Sequence, residues 1–198
     1  MWWIELGEQA ERLRTLRPQV EPGARVAPDA VLEGAVRVEA GAVLCRGACI
    51  VGPVVVGEGS RIGDRALVRG PARIGAGSRI GYASEIKNAV VGADVSIGPL
   101  CFVADSKLED GAYLGAMVRT SNHRLDGRTV QVWIDGAPFD TGLEKLGCLV
   151  GAGARLGIQV IVLPGRIVAP GALFGPRITI ERNLPTGRYR LRQALERY

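Results

Sequence analysis

The chain has 198 residues and a formal net charge of +5, with 25 basic side chains against 20 acidic ones, four cysteines and one histidine. That length fits one domain, and no apolar run reaches the ~18 residues needed to cross a bilayer. Cys45, Cys49, Cys101 and Cys148 form no CxxC pair and only one histidine is present, which argues against a zinc site or a disulfide framework. The expectation is a cytoplasmic protein with free thiols, no metal, and neither a membrane nor a nucleic acid as partner.

Residues 3–17 place Trp3, Leu6, Ala10, Leu13 and Leu16 at helical spacings, and Pro18 ends the run. The amino-terminal stretch has no basic leader and its apolar part is cut by Glu5, so it does not read as a signal peptide. The segment 1–23 is expected to be a capping helix over the first repeat, whose open end would otherwise expose backbone and core.

From residue 24 a period of six takes over. Val26, Leu32, Val38, Leu44, Ile50, Val56, Ile62, Val68, Ile74, Ile80 and Ile86 are all Val, Leu or Ile. Two positions before each stands a small or slender residue, among them Ala24, Ala30, Ala42, Ala48, Ser60, Ala66, Ala72, Ser78 and Ser84. Such a period fits neither a helix nor an ordinary strand and predicts a hexapeptide-repeat parallel β-helix. The large side chain points into a triangular prism, the small one sits at a corner, and Gly57, Gly63, Gly75 and Gly81 are expected to supply the sharp turns. The period slips by one after Ile86, reaching Val91, Ile97 and Val103, and by one again at Leu108 and Leu114, as a bulge would re-aim a side chain. These coils span 24–118.

Residues 119–147 interrupt the repeat with a polar loop. Val130, Val132 and Ile134 then alternate with Gln131 and Trp133 before the Asp135-Gly136 turn, which predicts a protruding hairpin. In a solenoid so long an excursion is usually functional. The period returns over 148–181 through Val150, Leu156, Val162, Val168, Phe174 and Ile180. Residues 182–198 are expected to close the chain as a helix with Leu191, Leu195 and Tyr198 inward. The total comes to about seven coils of an all-β fold with a short helix at each end. The arginines clustered after residue 177 accompany no nucleic-acid motif, and a solvated face or a patch for a phosphorylated small molecule explains them better.

Chemistry-bearing side chains gather near the slips and the excursion. They are Glu85 and Lys87, then Asp105 and Ser106, then Ser121, Asn122, His123 and Arg124. Lys87 can bind a phosphate or carboxylate, or be a solvated lysine on a flat face. His123 is the only ready-made general base, although a lone loop histidine is more often simply exposed.

The stretches SEIKNAVVG (84–92), FVADS (102–106), TSNHRLDG (120–127), VWIDG (132–136), DTGLEKLGCLVG (140–151) and VLPG (162–165) resemble the acetyltransferase domain of bifunctional sugar-1-phosphate nucleotidylyltransferase/acetyltransferases, in particular the archaeal-type branch. The nucleotidylyltransferase half of that family has no counterpart in these residues. The resemblance implies a left-handed prism, a homotrimer with clefts between neighbouring prisms, and acetyl-CoA as cosubstrate. It also implies transfer of the acetyl group to the amine of an amino-sugar phosphate. Lys87 matches the lysine that holds the sugar phosphate, and Asn122 an asparagine of the acetyl-transfer site. Arg128 keeps the charge of a family lysine, whereas Gln131 loses one. Tyr113 stands for a substrate-binding asparagine and Phe102 for a tyrosine. Pro99 takes the place of the catalytic histidine. Proline moves no proton, so His123 is the candidate replacement base.

The leading reading is therefore a CoA-dependent acyltransferase acting on a sugar phosphate or sugar nucleotide amine. His123 and Asn122 would be catalytic, and Lys87, Tyr113 and Arg128 would bind substrate. A second reading is a catalytically degenerate trimeric scaffold or regulatory partner of a separate nucleotidylyltransferase. A third is a binding module of another class, including a metal-dependent enzyme on the same prism, a case that one histidine per chain disfavours.

Overall fold

The computed structural model describes residues 1–192 and 194. The chain winds into a parallel β-solenoid whose three faces carry eight, nine and eight strands. Successive strands on a face lie 18 residues apart in the first coils, as in Val38↔Val56↔Ile74, and 17 apart past the first slip, as in Ile86↔Val103. The six-residue period is the inward column. Leu44, Ile50, Val56, Ile62, Val68, Ile74, Ile80, Ile86 and, after the slips, Val91, Leu108, Val150 and Val162 are all buried in one continuous core. The faces hold more than the seven coils expected. Gln19–Val20 already pairs with the strand above it, and Arg188–Tyr189 still pairs with Leu173–Phe174, so the solenoid extends beyond the periodic stretch at both ends.

The small corner residues bear out their predicted role and add a polar one. The Ser60, Ser78 and Ser84 hydroxyls, all buried, donate to the carbonyls of Gly75, Gly92 and Gly98 at 2.7–2.8 Å. They also accept the backbone N–H of Ser78, Val95 and Cys101. Serine thus fills an alanine-sized corner and satisfies backbone groups that would otherwise be buried unpaired.

The glycines after the large residues have a different role from the one expected. Gly57, Gly63, Gly75 and Gly81 do not adopt a positive φ; the left-handed turn falls two residues later, at Gly59, Arg65, Gly77 and Ala83. A Cβ at Gly75 would instead lie 2.3 Å from the Gly92 carbonyl oxygen of the next coil. The close stacking of coils requires glycine there, not the turn.

The amino-terminal helix, Trp2–Leu13, does not cap the first coil as expected. It lies against the first face beside strands Ala72–Ile74 and Lys107–Leu108, where Lys107 pairs with Glu5. Trp2, Trp3 and Leu6 are buried there with Val130, Val132 and Leu146. The two indoles, 6% and 7% exposed, bring a large apolar area to this second core. The first coil remains open, so Val20 and Val31, at 49% and 51%, are exposed.

For the same reason the hairpin does not protrude. Its strands Gln131–Ile134 and Ala137–Asp140 pair antiparallel, and Val130 and Val132 press onto the first face under the helix. Phe139 packs on Trp3 with ring centroids 5.6 Å apart.

Among the described residues of the expected closing helix, the chain forms strand Arg188–Tyr189 and no helical turn. Tyr189 stacks on Phe174 at 4.7 Å and closes the core with an aromatic ring. Leu191 is exposed, and Leu195 and Tyr198 lie outside the described residues. No helix among the described residues is long and apolar enough to cross a membrane.

Candidate active site

The two slips in the period fall at one corner, between the third and the first face. Earlier coils turn there through two residues, Gly52-Pro53 and then Gly70-Pro71. The next two coils are each one residue shorter and bend at Asn88, φ +44°, and Asp105, φ +48°. Asn and Asp are the side-chain-bearing types that best tolerate this region, because their short polar groups can hydrogen-bond locally. Their stacking is direct, with Asn88 Nδ2 donating to Asp105 Oδ1 at 2.5 Å.

One coil further on, the excursion leaves from the same corner at Asn122. Its side-chain amide donates to Asp105 Oδ2 at 2.5 Å, and Lys87 Nζ approaches the same oxygen at 3.3 Å. Asp105 is only 4% exposed, so its carboxylate depends on these three donors. Backbone contacts lock the base of the excursion. Leu146 N donates to Asn122 O, Gly147 N donates to Asp105 O, and His123 bridges Lys145 in antiparallel fashion. Ser106 Oγ donates to Ala104 O and accepts Cys148 N, while Thr120 Oγ1 accepts Ala104 N. A side chain at Gly147 would collide with Ser106 Oγ.

His123 is exposed and opens into a cavity of about 510 Å³ that it shares with Ser121, Arg124, Leu163, Pro164 and Arg166. Arg124 grips Asp126 through two nitrogens, at 2.9 and 2.5 Å, and holds that carboxyl well below the usual range. Arg166 is half-buried and donates to the carbonyls of Pro164 and Gln131. Burial, with Arg124 nearby, lowers its pKa. Arg166 also lines a second cavity of about 540 Å³ with Trp133, Asp135, Gly136, Arg182 and Asn183.

The structure thus brings together Lys87 and Asn122, with His123 one residue further along the chain. Arg128 is exposed on the loop, its backbone N–H held by Asp126 Oδ1. Tyr113 lies on the second face with Arg155 stacked over its ring at 4.5 Å, away from the Asp105 corner. Pro99 occupies the corner between the second and third faces, where its carbonyl accepts Met117 N. Within one chain, therefore, neither Tyr113 nor Pro99 joins the Lys87–Asn122 cluster. Sequence reasoning noted Asp105 but missed its central place, and missed Asn88 and Arg166. The signal for the first two was available: they are the corner residues of the two slipped coils, 17 positions apart. No group of three or more His, Cys, Asp or Glu able to hold a metal occurs among the described residues.

A stacked hexapeptide prism with a polar excursion at one corner defines a class that includes acyltransferases, and the chain is related to proteins of that kind. No family model matches it. It is 57% identical over 116 residues to the uncharacterized acetyltransferase YaiX of Escherichia coli strain 536, a match covering 59% of this chain and 50% of YaiX. It is 30% identical over 105 residues to the bifunctional sugar-1-phosphate nucleotidylyltransferase/acetyltransferase of Sulfurisphaera tokodaii, covering 53% of this chain and 26% of that enzyme. The chain therefore spans half or less of the curated relatives it matches. Among solved structures, a UDP-N-acetylglucosamine acyltransferase (LpxA) from Bacteroides fragilis has a TM-score of 0.58 at 13% identity, over 86% of this chain and 70% of its own, which shows the shared fold.

Proposed function

We propose that the chain is an acyltransferase that moves an acetyl group from acetyl-CoA to the amine of a sugar phosphate or sugar nucleotide. The observation that carries this reading is the Asp105 corner. It fixes Lys87 and Asn122 through one buried carboxylate at the base of the loop that presents His123, in a chain whose matched relatives are named as acetyltransferases.

In this reading the acceptor amine attacks the acetyl carbonyl, the C–N bond forms, and the C–S bond breaks as CoA leaves as the thiol. The His123 imidazole takes the proton the amine must lose. Asn122 has one amide hydrogen committed to Asp105 and keeps its other for the developing oxyanion. The Lys87 ammonium, held by Asp105, has further hydrogens for a phosphate.

We place the protein in the cytoplasm as a homotrimer. Tyr82, Leu100 and Ile158 form an exposed apolar ridge up the corner between the second and third faces, and this supports a neighbouring copy packed there. Such an assembly can bring Tyr113 or Arg128 of another copy toward the Asp105 corner. Pro99 favours one other reading, a scaffold that partners a nucleotidylyltransferase without turnover. Release of free thiol from acetyl-CoA, followed across a panel of amino-sugar phosphates and amino-sugar nucleotides, tests the proposal. Acceptor-dependent release supports the enzyme, and none with any acceptor supports the scaffold.

A further inference from the structure

Arg166 stands between two cavities. On one side is the His123 cavity, of about 510 Å³, and on the other the Trp133 cavity, of about 540 Å³. Each falls within the range usual for small-molecule sites. The Trp133 side has the parts of a recognisable ligand site. Trp2 and Trp3 are buried, whereas Trp133 is 43% exposed on a hairpin whose neighbouring Val132 is fully buried. Its backbone is tied to the prism by Asn183, which donates to Trp133 O at 3.2 Å and accepts Ile167 N at 2.8 Å. Neither Arg166 nor Arg182 pairs with a carboxylate among the described residues. Among the described residues Arg166 donates to two carbonyl oxygens, leaving guanidinium hydrogens for an anion.

The geometry points to a nucleoside-diphosphate site at Trp133, Arg166 and Arg182. The base stacks on the Trp133 indole, which accepts any base because every base has a π-face. The diphosphate sits at the two guanidiniums, whose planar forks match phosphate oxygens. Asp135, the carboxylate of this cavity, accepts from the ribose hydroxyls. The rest of the ligand passes Arg166 into the His123 cavity. A ligand with an anionic centre and two ends suits two cavities that meet at one guanidinium, whereas a sugar phosphate alone would occupy one of them.

Two molecules in the proposed reaction carry this chemistry: the CoA donor, through its adenosine diphosphate portion, and a nucleotide-linked acceptor. Which of them uses the site rests on the acyltransferase reading; the site itself rests on its own residues.

Calorimetric titration of the whole chain with ADP, with UDP and with inorganic pyrophosphate tests this, alongside Trp133→Leu and Arg182→Gln. Both substitutions are at surface positions, and circular dichroism verifies the fold. The expected result is binding of ADP or UDP at least ten-fold tighter than pyrophosphate and weakened at least ten-fold by each substitution. ADP preference assigns the donor, and UDP preference the acceptor. Binding of neither nucleotide, binding no tighter than pyrophosphate, or binding unchanged in both variants overturns the site. No arm depends on turnover. Nucleotide binding without acyl transfer would therefore dismiss the activity and leave the site standing.

Discussion

Asn122 Nδ2 and Asp105 Oδ2 meet at 2.5 Å, although 17 residues separate them in the chain. The contact exists because successive coils of 17 residues bend at the same corner, so consecutive corner side chains stack. Asp105 is the middle member of that stack, and its substitution has two effects. Asp105→Ala leaves the donors of Lys87, Asn88 and Asn122 without their acceptor in a dry corner. The expected loss of stability is about 3 kcal/mol, the scale for breaking a buried charged pair. Urea denaturation measures it. Asp105→Asn keeps the volume and loses less stability, but it withdraws the charge that holds Lys87 and is expected to lower acyl transfer sharply.

His123 is exposed, its backbone bridges Lys145, and among the described residues its imidazole enters no hydrogen bond or salt bridge. His123→Ala is therefore expected to leave the unfolding midpoint within experimental error. If His123 is the base, turnover falls about 10²–10⁴-fold, the usual contribution of a positioned proton acceptor. The comparison is of kcat on protein matched for its circular dichroism spectrum.

The two kinds of glycine make opposite predictions from the same substitution. Gly75→Ala drives a Cβ to 2.3 Å from the Gly92 oxygen, a backbone atom that cannot swing aside, so the stacked coils must separate. Losses above about 3 kcal/mol, and failure of the coils to form, are expected. Gly59→Ala meets no atom within 4 Å and carries only the cost of a positive φ. About 1 kcal/mol is expected there, measured on the same denaturation curve.

The four thiols should separate by reactivity. Complete burial pushes the Cys148 thiol up to about 12, and burial also raises Cys101 and Cys45. Cys49 is only partly buried. Cys49 is therefore expected to react first with an aromatic disulfide reagent at pH 8, and Cys148 only on unfolding. The sign of the linkage is fixed. A folded-state pKa above the unfolded value means that the stabilisation is complete below about pH 9 and is lost as pH rises toward 12. Cys148→Ala is expected to flatten that alkaline limb.

The second core predicts that the helix and the hairpin stand or fall together. Trp3→Ala removes the ring that packs on Phe139 and empties the space between helix and face. A loss of about 3–5 kcal/mol is expected if unfolding is two-state. Hydrogen exchange should quicken in Gln131–Asp140 as well as in the helix.

The prism was legible because its period is strict: every sixth residue must be large and apolar, and this constraint is local to each coil. Two things were not legible. The helix and hairpin were read correctly as elements but placed wrongly, because Trp2, Trp3, Val130 and Val132 form a core between segments over 100 residues apart, and no periodicity encodes that contact. The role of Gly57 and its equivalents was misread because a six-residue repeat cannot distinguish a glycine needed for φ from one needed for coil stacking. At the candidate site, Lys87, Asn122 and His123 stood out by residue type. What joins them, the stack of Asn88, Asp105 and Asn122 at the slipped corner, follows from register, which a single strand of sequence shows only as a missing residue.

The most direct test of the acyltransferase reading is calorimetry of acetyl-CoA binding to the folded chain, with its oligomeric state fixed by light scattering. The account predicts micromolar affinity, about −8 kcal/mol, and further heat of repeated turnover when an accepted amino sugar is added. Absence of acetyl-CoA binding by a folded trimer would contradict it and move the assignment to the scaffold.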